Sequence, residues 1–229
     1  MSQIRRTMNN LTDVVGGELL LRAANAAVAV LIGRVYGAAT LGLYAAILAA
    51  ATLAERVADN GLELTGIAEV SRKPQYLGQI ATALCLNKTV LSVIAVALLA
   101  GIGLLVDLSR AEWTIAVILT LRTFCYSYCR LNAGLLKALN KTNYIVRIQG
   151  AHFALLTICL VGIYIWRQGM TTLLVCLLAA QAFEFVAAYV ALRSFGLRVQ
   201  FISFRFCWEM LRRSTAVGAT YTFSTLMIR

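Results

Sequence analysis

Six stretches of this chain are each long and apolar enough to cross a lipid bilayer, and that feature removes most folds from consideration. They run Val15–Gly33, Leu41–Gly66, Ile80–Val106, Trp113–Leu135, Ile145–Trp166 and Thr171–Leu192. Each is near or above the roughly 20 residues that a helix needs to span the hydrocarbon core. A seventh begins at Ser214 and meets the end of the sequence at Arg229. Backbone amides in lipid have no water to bond, so a spanning segment is a helix or a barrel strand. The alternating pattern of barrel strands is absent. The expected fold is therefore all-α, a polytopic transmembrane helix bundle with six spans and a truncated seventh. Composition agrees: 60% of the residues are hydrophobic and 14% charged, where a soluble domain has about 45–50% and about 25%.

Charge orients the bundle. With the amino terminus in the cytoplasm, the internal segments collect Arg5, Arg6, Arg72, Lys73, Lys137, Lys141, Arg147, Arg193, Arg198, Arg205, Arg212 and Arg213, against only Arg34, Arg110 and Arg167 outside. That asymmetry is the positive-inside pattern of a plasma (inner) membrane protein. It also accounts for the formal net charge of +11 without a nucleic-acid partner. Trp113, Trp166 and Trp208 fall near the ends of spans, where an amphipathic indole is favoured. The organisation read from these signals is a cytoplasmic lead-in over 1–14, a six-helix transmembrane lobe over 15–192, a basic linker over 193–213 and the start of a further helix over 214–229. Residues 1–30 do not read as a cleaved secretory signal, because Glu18 and Arg22 interrupt the apolar core.

The segment Gly33–Pro74 carries the most specific pattern. A Gly-punctuated turn (Gly33, Gly37, Gly42) leads into an Ala- and Leu-rich helix that gathers Glu55, Arg56 and Asp59 at its far end and breaks around Asn60-Gly61. The motifs G-R-x-Y-G-x-x-x-L-G-x-Y (Gly33–Tyr44) and A-D-N-G-L-x-x-T-G (Ala58–Gly66) resemble the first two helices of bacterial polysaccharide exporters. These are O-antigen-type flippases of the multidrug/oligosaccharidyl-lipid/polysaccharide superfamily. Only Gly33–Gly66 matches in pattern; the rest of the chain matches in helix count and loop character. The resemblance implies two similar helical lobes that rock about a central path. It implies a substrate of oligosaccharide linked to undecaprenyl pyrophosphate, moved across the inner membrane for O-antigen or exopolysaccharide assembly, with no cofactor.

Charged and polar residues inside the spans are the candidate site. Each cation at a helix centre costs about 2.5–3.5 kcal/mol to insert, so several are tolerated only where they face one another or a hydrated cavity. Glu18, Arg22 and Asn25 share a face of the first helix; Asn87 and Lys88 lie on the third; Arg122, Tyr126 and Arg130 share a face of the fourth; Gln149 and His152 lie on the fifth, Gln181 and Glu184 on the sixth. Guanidinium and ammonium groups suit phosphate oxygens, and on the resemblance Arg22, Arg122, Lys88 and Arg130 would contact the pyrophosphate. Lys88 and Arg130 can instead snorkel to the cytoplasmic surface, and Glu18 can neutralise Arg22 along the helix. Glu55, Asp59 and Glu63 stand at i, i+4 and i+8, one stripe of a helix. They suit proton- or sodium-linked alternating access, or a structural role in which Asp59 anchors the break.

Two other functions stay open. A multidrug or organic-cation antiporter shares the fold but wants an anionic cavity, which Arg22 and Arg122 oppose. A membrane-embedded glycan-processing enzyme wants a large external loop, and the outer connections here are short. The cysteines Cys85, Cys125, Cys129, Cys159, Cys176 and Cys207 imply no disulfide framework, and with a single histidine neither a zinc cluster nor a Ser-His-Asp site assembles. Ser214–Ile228 falls short of a full span. The expectation is a fragment, inactive alone, whose partners are the bilayer, the lipid-linked oligosaccharide and either a missing C-terminal lobe or a second copy.

Overall fold

The computed structural model describes residues 22–198 and 200–227, the side chains of 221–227 excepted. The expected lead-in, Glu18 and the beginning of the first span lie outside the described residues. Within them the chain is a sequence of helices: α1 over 22–35, α2 Ala38–Asp59, α3 Leu62–Arg72, a short 3₁₀ turn Pro74–Tyr76, α4 Leu77–Leu105, α5 Arg110–Ala138, α6 Thr142–Trp166, α7 Met170–Ser194 and α8 Phe204–Met227.

The helix ends follow from residues that can leave the right-handed region. Gly37 turns α1 into α2 with φ 91°, Asn60 and Gly61 separate α2 from α3 with φ 40° and 77°, and Asn140 and Arg167 follow α5 and α6 in the same left-handed region. At the start of α5, the Ser109 N–H donates to Glu112 Oε2 at 2.8 Å and the Glu112 N–H donates back to Ser109 Oγ at 3.4 Å, a reciprocal cap that satisfies two otherwise orphaned donors.

α5 is the centre of the bundle. It packs most extensively against α7 and also against α2 and α3; α6 lies on α7, α2 on α4, and α8 on α3 and α4. Two apolar cores form at the two ends. One joins Leu62, Val70, Ile80, Leu84, Leu131, Leu135 and Met210 from α3, α4, α5 and α8; the other joins Val28, Ile32, Leu119, Leu156, Leu173 and Leu177 from α1, α5, α6 and α7. Turns cluster with them. The Tyr36 hydroxyl donates to the Gln168 carbonyl oxygen at 2.6 Å, tying the α1–α2 turn to the α6–α7 turn, while Phe195 beyond α7 packs edge-on to Tyr144 at the opposite end.

Leu98, Ile102, Leu104, Leu105, Ile158 and Ile165 are exposed on the outside, an apolar girdle suited to lipid rather than water. Four described segments combine the length and apolarity of a membrane span: Ala38–Arg72, Pro74–Leu105, Thr142–Trp166 and Met170–Ser194. The chain is thus a multi-pass membrane helix bundle, and the spans among the described residues number fewer than the six expected. The difference has two sources. α5 has the length at 29 residues, but Arg122, Ser127, Arg130 and Asn132 lower its apolarity, and the surrounding helices cover much of it, leaving Val117 and Leu121 exposed. Only part of the first span falls among the described residues. A further difference lies at α8, which begins at Phe204 rather than Ser214. Ser203 caps it, accepting from the Phe206 N–H at 3.3 Å, and Cys207 and Met210 bury against the α3–α4 core.

Candidate functional site

Between the two larger apolar cores, beside a small cluster of Ala58, Ala95 and Phe124, the interior turns polar. The change starts at the α2–α3 break, where two successive left-handed residues redirect the chain without ending the span. Glu55 and Asp59 lie before the break and Glu63 after it, and all three reach into the bundle. Ser127 of α5 donates to Glu55 Oε1. Lys88 Nζ of α4 donates to Asp59 Oδ1 at 2.6 Å, and Arg130 Nη2 of α5 donates to Glu63 Oε2. The carboxylates singled out for ion coupling and two of the cations singled out for phosphate therefore meet as pairs.

Burial grades these contacts. Lys88 is fully enclosed at 0% exposure, among the largest fully buried side chains. Its ammonium turns to Asp59, not to the membrane surface, and lies 5.8 Å from the centroid of the Tyr128 ring, within cation–π range. The Arg130 side chain is more open, at 40% exposure. A buried ion pair of this kind is costly to break from one side, because the partner is left charged in a medium that cannot solvate it.

Arg122 sits apart from these pairs. It is buried on α5, and its Nη2 donates to Asn25 Oδ1 of α1 at 3.1 Å. Arg22, which opens the described part of α1, is exposed. Of the four proposed phosphate ligands, Lys88 and Arg130 are thus engaged by carboxylates and Arg122 by a neutral amide. That amide is a weaker competitor for an incoming anion than a carboxylate.

Sequence reasoning missed Ser127 and the role of Tyr128. Ser127 stands at i−3 from Arg130, so a helical wheel places both on the face that meets α2 and α3. A hydroxyl in such a position was the available signal. The pairing itself depends on the register between helices and has no one-dimensional trace.

The α2–α3 break is also where α8 docks. Asn60 Nδ2 donates to Thr215 Oγ1 at 2.8 Å. A Cβ on Gly61 would come within 2.6 Å of the Ser214 carbonyl oxygen and 2.7 Å of Gly218 N. Two backbones meet there because both positions lack side chains, the small-residue contact that membrane helices use for close approach. The A-D-N-G motif thus supplies three things in four residues: a partly buried carboxylate that pairs with Lys88, the αL break and a seat for α8.

Among known proteins, the family model described as polysaccharide biosynthesis protein matches residues 14–229. No curated protein and no solved structure matches the chain.

Proposed function

The chain belongs to the polysaccharide biosynthesis protein family, and from that premise we propose that it acts as a flippase. Its substrate is an oligosaccharide on an undecaprenyl pyrophosphate-type lipid, carried across the inner membrane with the amino terminus of the chain in the cytoplasm. The observation that carries this reading is the set of cations held at mid-bundle between two apolar cores: Lys88 fully buried, Arg122 buried and amide-bonded, and Arg130 partly open. Keeping cations there is expensive for a scaffold. It suits a protein that must shelter a charged pyrophosphate while the lipid tail stays in the bilayer.

The pairs suggest how substrate enters. Arg122, the cation held by a neutral acceptor, takes the first phosphate, with Arg22 of α1 as a second ligand. A pyrophosphate carries more charge and more acceptor oxygens than a carboxylate, so it displaces Glu63 from Arg130 and Asp59 from Lys88. The released Asp59 and Glu63, with Glu55 beside them, then bind a proton or sodium ion from water. Flipping is thereby linked to an ion gradient. The second lobe needed for alternating access is a further part of the same polypeptide system or a second copy.

The test is in the cell that makes the glycan. Deleting the gene is expected to leave lipid-linked oligosaccharide on the cytoplasmic leaflet, and Arg122→Ala is expected to do the same at normal membrane abundance. Undiminished surface glycan in an Arg122→Ala strain of normal abundance removes the main support for this reading.

A further inference from the structure

The α6–α7 side of α5 holds a second buried polar group that plays no part in the reading above. His152 of α6 is 3% exposed and Glu184 of α7 8%. His152 Nδ1 lies 3.1 Å from the Ala180 carbonyl oxygen and 3.2 Å from Glu184 Oε2. A carbonyl oxygen only accepts, so Nδ1 carries the hydrogen and shares it between the two oxygens. The neutral ring then has its lone pair on Nε2, and that buried atom has no hydrogen-bond partner among the described residues. The same Glu184 oxygen accepts from Gln181 Nε2 at 2.7 Å. Gln181, 1% exposed, is oriented in turn by Cys129 Sγ at 3.3 Å.

This arrangement differs in kind from the α2–α4 and α3–α5 ion pairs. Protonating Asp59 or Glu63 strands Lys88 or Arg130 as an unpaired cation. Glu184 is held by two neutral donors, and His152 presents a bare nitrogen, so a single added proton takes the pair from one negative charge to neutrality. A buried, unpaired polar atom ordinarily costs stability, and its persistence here is explained if the atom binds something. The converging groups are an imidazole nitrogen, one carboxylate, the Ala180 carbonyl oxygen and the Gln181 amide. The nearest carboxylate oxygen is already engaged by Gln181 and His152, a set suited to a shared proton rather than to a sodium ion, which needs several free oxygens.

We propose that His152 and Glu184, positioned by Gln181, form a proton-binding site in the α5–α6–α7 wall that takes up one proton between them. The charged and titratable groups around it are few. Arg122 of α5 is close enough to act on both members, and Tyr126, Cys125 and Cys129 of α5 lie within the field of Glu184. α1 adds Asn25, bonded to Arg122. The site depends on this geometry and not on the identity of any transported molecule.

His152 is the sole histidine of the chain, so ¹⁵N-histidine labelling of the full chain in lipid nanodiscs gives one imidazole. Its nitrogens report their own protonation, and through the Nδ1–H bond that of Glu184. The resonances are expected to titrate between about pH 4 and pH 9, with a midpoint that moves by about 1 pH unit or more in Glu184→Gln. The midpoint is expected to stay the same whether sodium or a bulky organic cation is present. Resonances that stay fixed across that range overturn the site, as does an unchanged midpoint in Glu184→Gln or a midpoint set by sodium. If Glu184→Gln loses its helical content, His152→Gln reads the pair from the other side, through the infrared stretch of the protonated Glu184 carboxyl. Coupling is reciprocal, so that band is expected to move its midpoint by a similar amount, and an unmoved band overturns the proposal.

Discussion

Removing the Asp59 carboxylate is expected to be among the most damaging single changes in the bundle. Asp59→Ala leaves the Lys88 ammonium, whose side chain is 1% exposed, without the oxygen now 2.6 Å away. At an effective dielectric of about 20 the direct attraction at that distance is about 6 kcal/mol, much of it offset by the desolvation of both ions. Breaking a buried pair from one side costs about 3–5 kcal/mol. Asp59 retains 17% exposure and water can partly replace it, so the lower figure applies. About 3 kcal/mol is a change of about 150-fold in the folded-to-unfolded ratio. The double variant Asp59→Ala/Lys88→Met removes both charges and fills the Lys88 site with an unbranched apolar chain. It is expected to return to within about 1 kcal/mol of the parent. Reversible unfolding in mixed micelles, run as a double-mutant cycle, reads both numbers. The reasoning is refuted if Asp59→Ala costs less than about 1 kcal/mol, or if the double variant is as unstable as the single one.

Three further changes probe other joints. Gly61→Ala places a Cβ at φ 77° and 2.6 Å from the Ser214 carbonyl oxygen, so α8 must lift from the α2–α3 break. Limited proteolysis of the 195–203 connection is expected to speed up by about tenfold, and an unchanged rate contradicts the seat. A Cβ on Gly103 would stand 2.8 Å from the Trp113 ring. Gly103→Val, with Trp166 and Trp208 replaced by Phe, is therefore expected to shift Trp113 emission, and an identical spectrum places the indole elsewhere. Hydrogen bonds from Ser109 hold the Glu112 carboxyl below its ordinary range. The stability this cap gives is full above the usual carboxylate pKa and is lost as pH falls through the lowered one. Ser109→Ala is expected to flatten that acid loss, measured as thermal midpoint against pH, and an unchanged profile removes the cap from the account.

What the sequence showed, and where it stopped, follows from the range of each interaction. The helices over Leu77–Leu105, Thr142–Trp166 and Met170–Ser194 lie within a few residues of the apolar runs that announce them, because lipid sets both their length and their polarity. The break at Asn60-Gly61 was equally legible, since only residues tolerant of positive φ stand there. The start of α8 was less legible, because Arg205, Arg212 and Arg213 suit a basic loop as well as an interfacial helix. In the structure Arg213 instead pairs with Glu69 and Glu209 along the helix surface. Lys88 and Asp59 were each noticed as charges, but their meeting depends on the packing of α2 on α4. The same holds for His152 and Glu184: Gln181 and Glu184 share a helical face by spacing alone, whereas the imidazole that completes them comes from a neighbouring helix. Local chemistry was readable, and cross-helix register was not.

Recognition of a lipid pyrophosphate by the buried cations is measured by equilibrium binding of a polyprenyl pyrophosphate-linked oligosaccharide to the purified chain in nanodiscs, with the phosphate-free polyprenol as control. The account predicts binding of the pyrophosphate lipid that Arg122→Gln weakens by about tenfold or more, the value of one charge-assisted phosphate contact, while the polyprenol binds no better than bulk lipid. Equal binding of both lipids, or an Arg122→Gln variant with parental affinity, contradicts it.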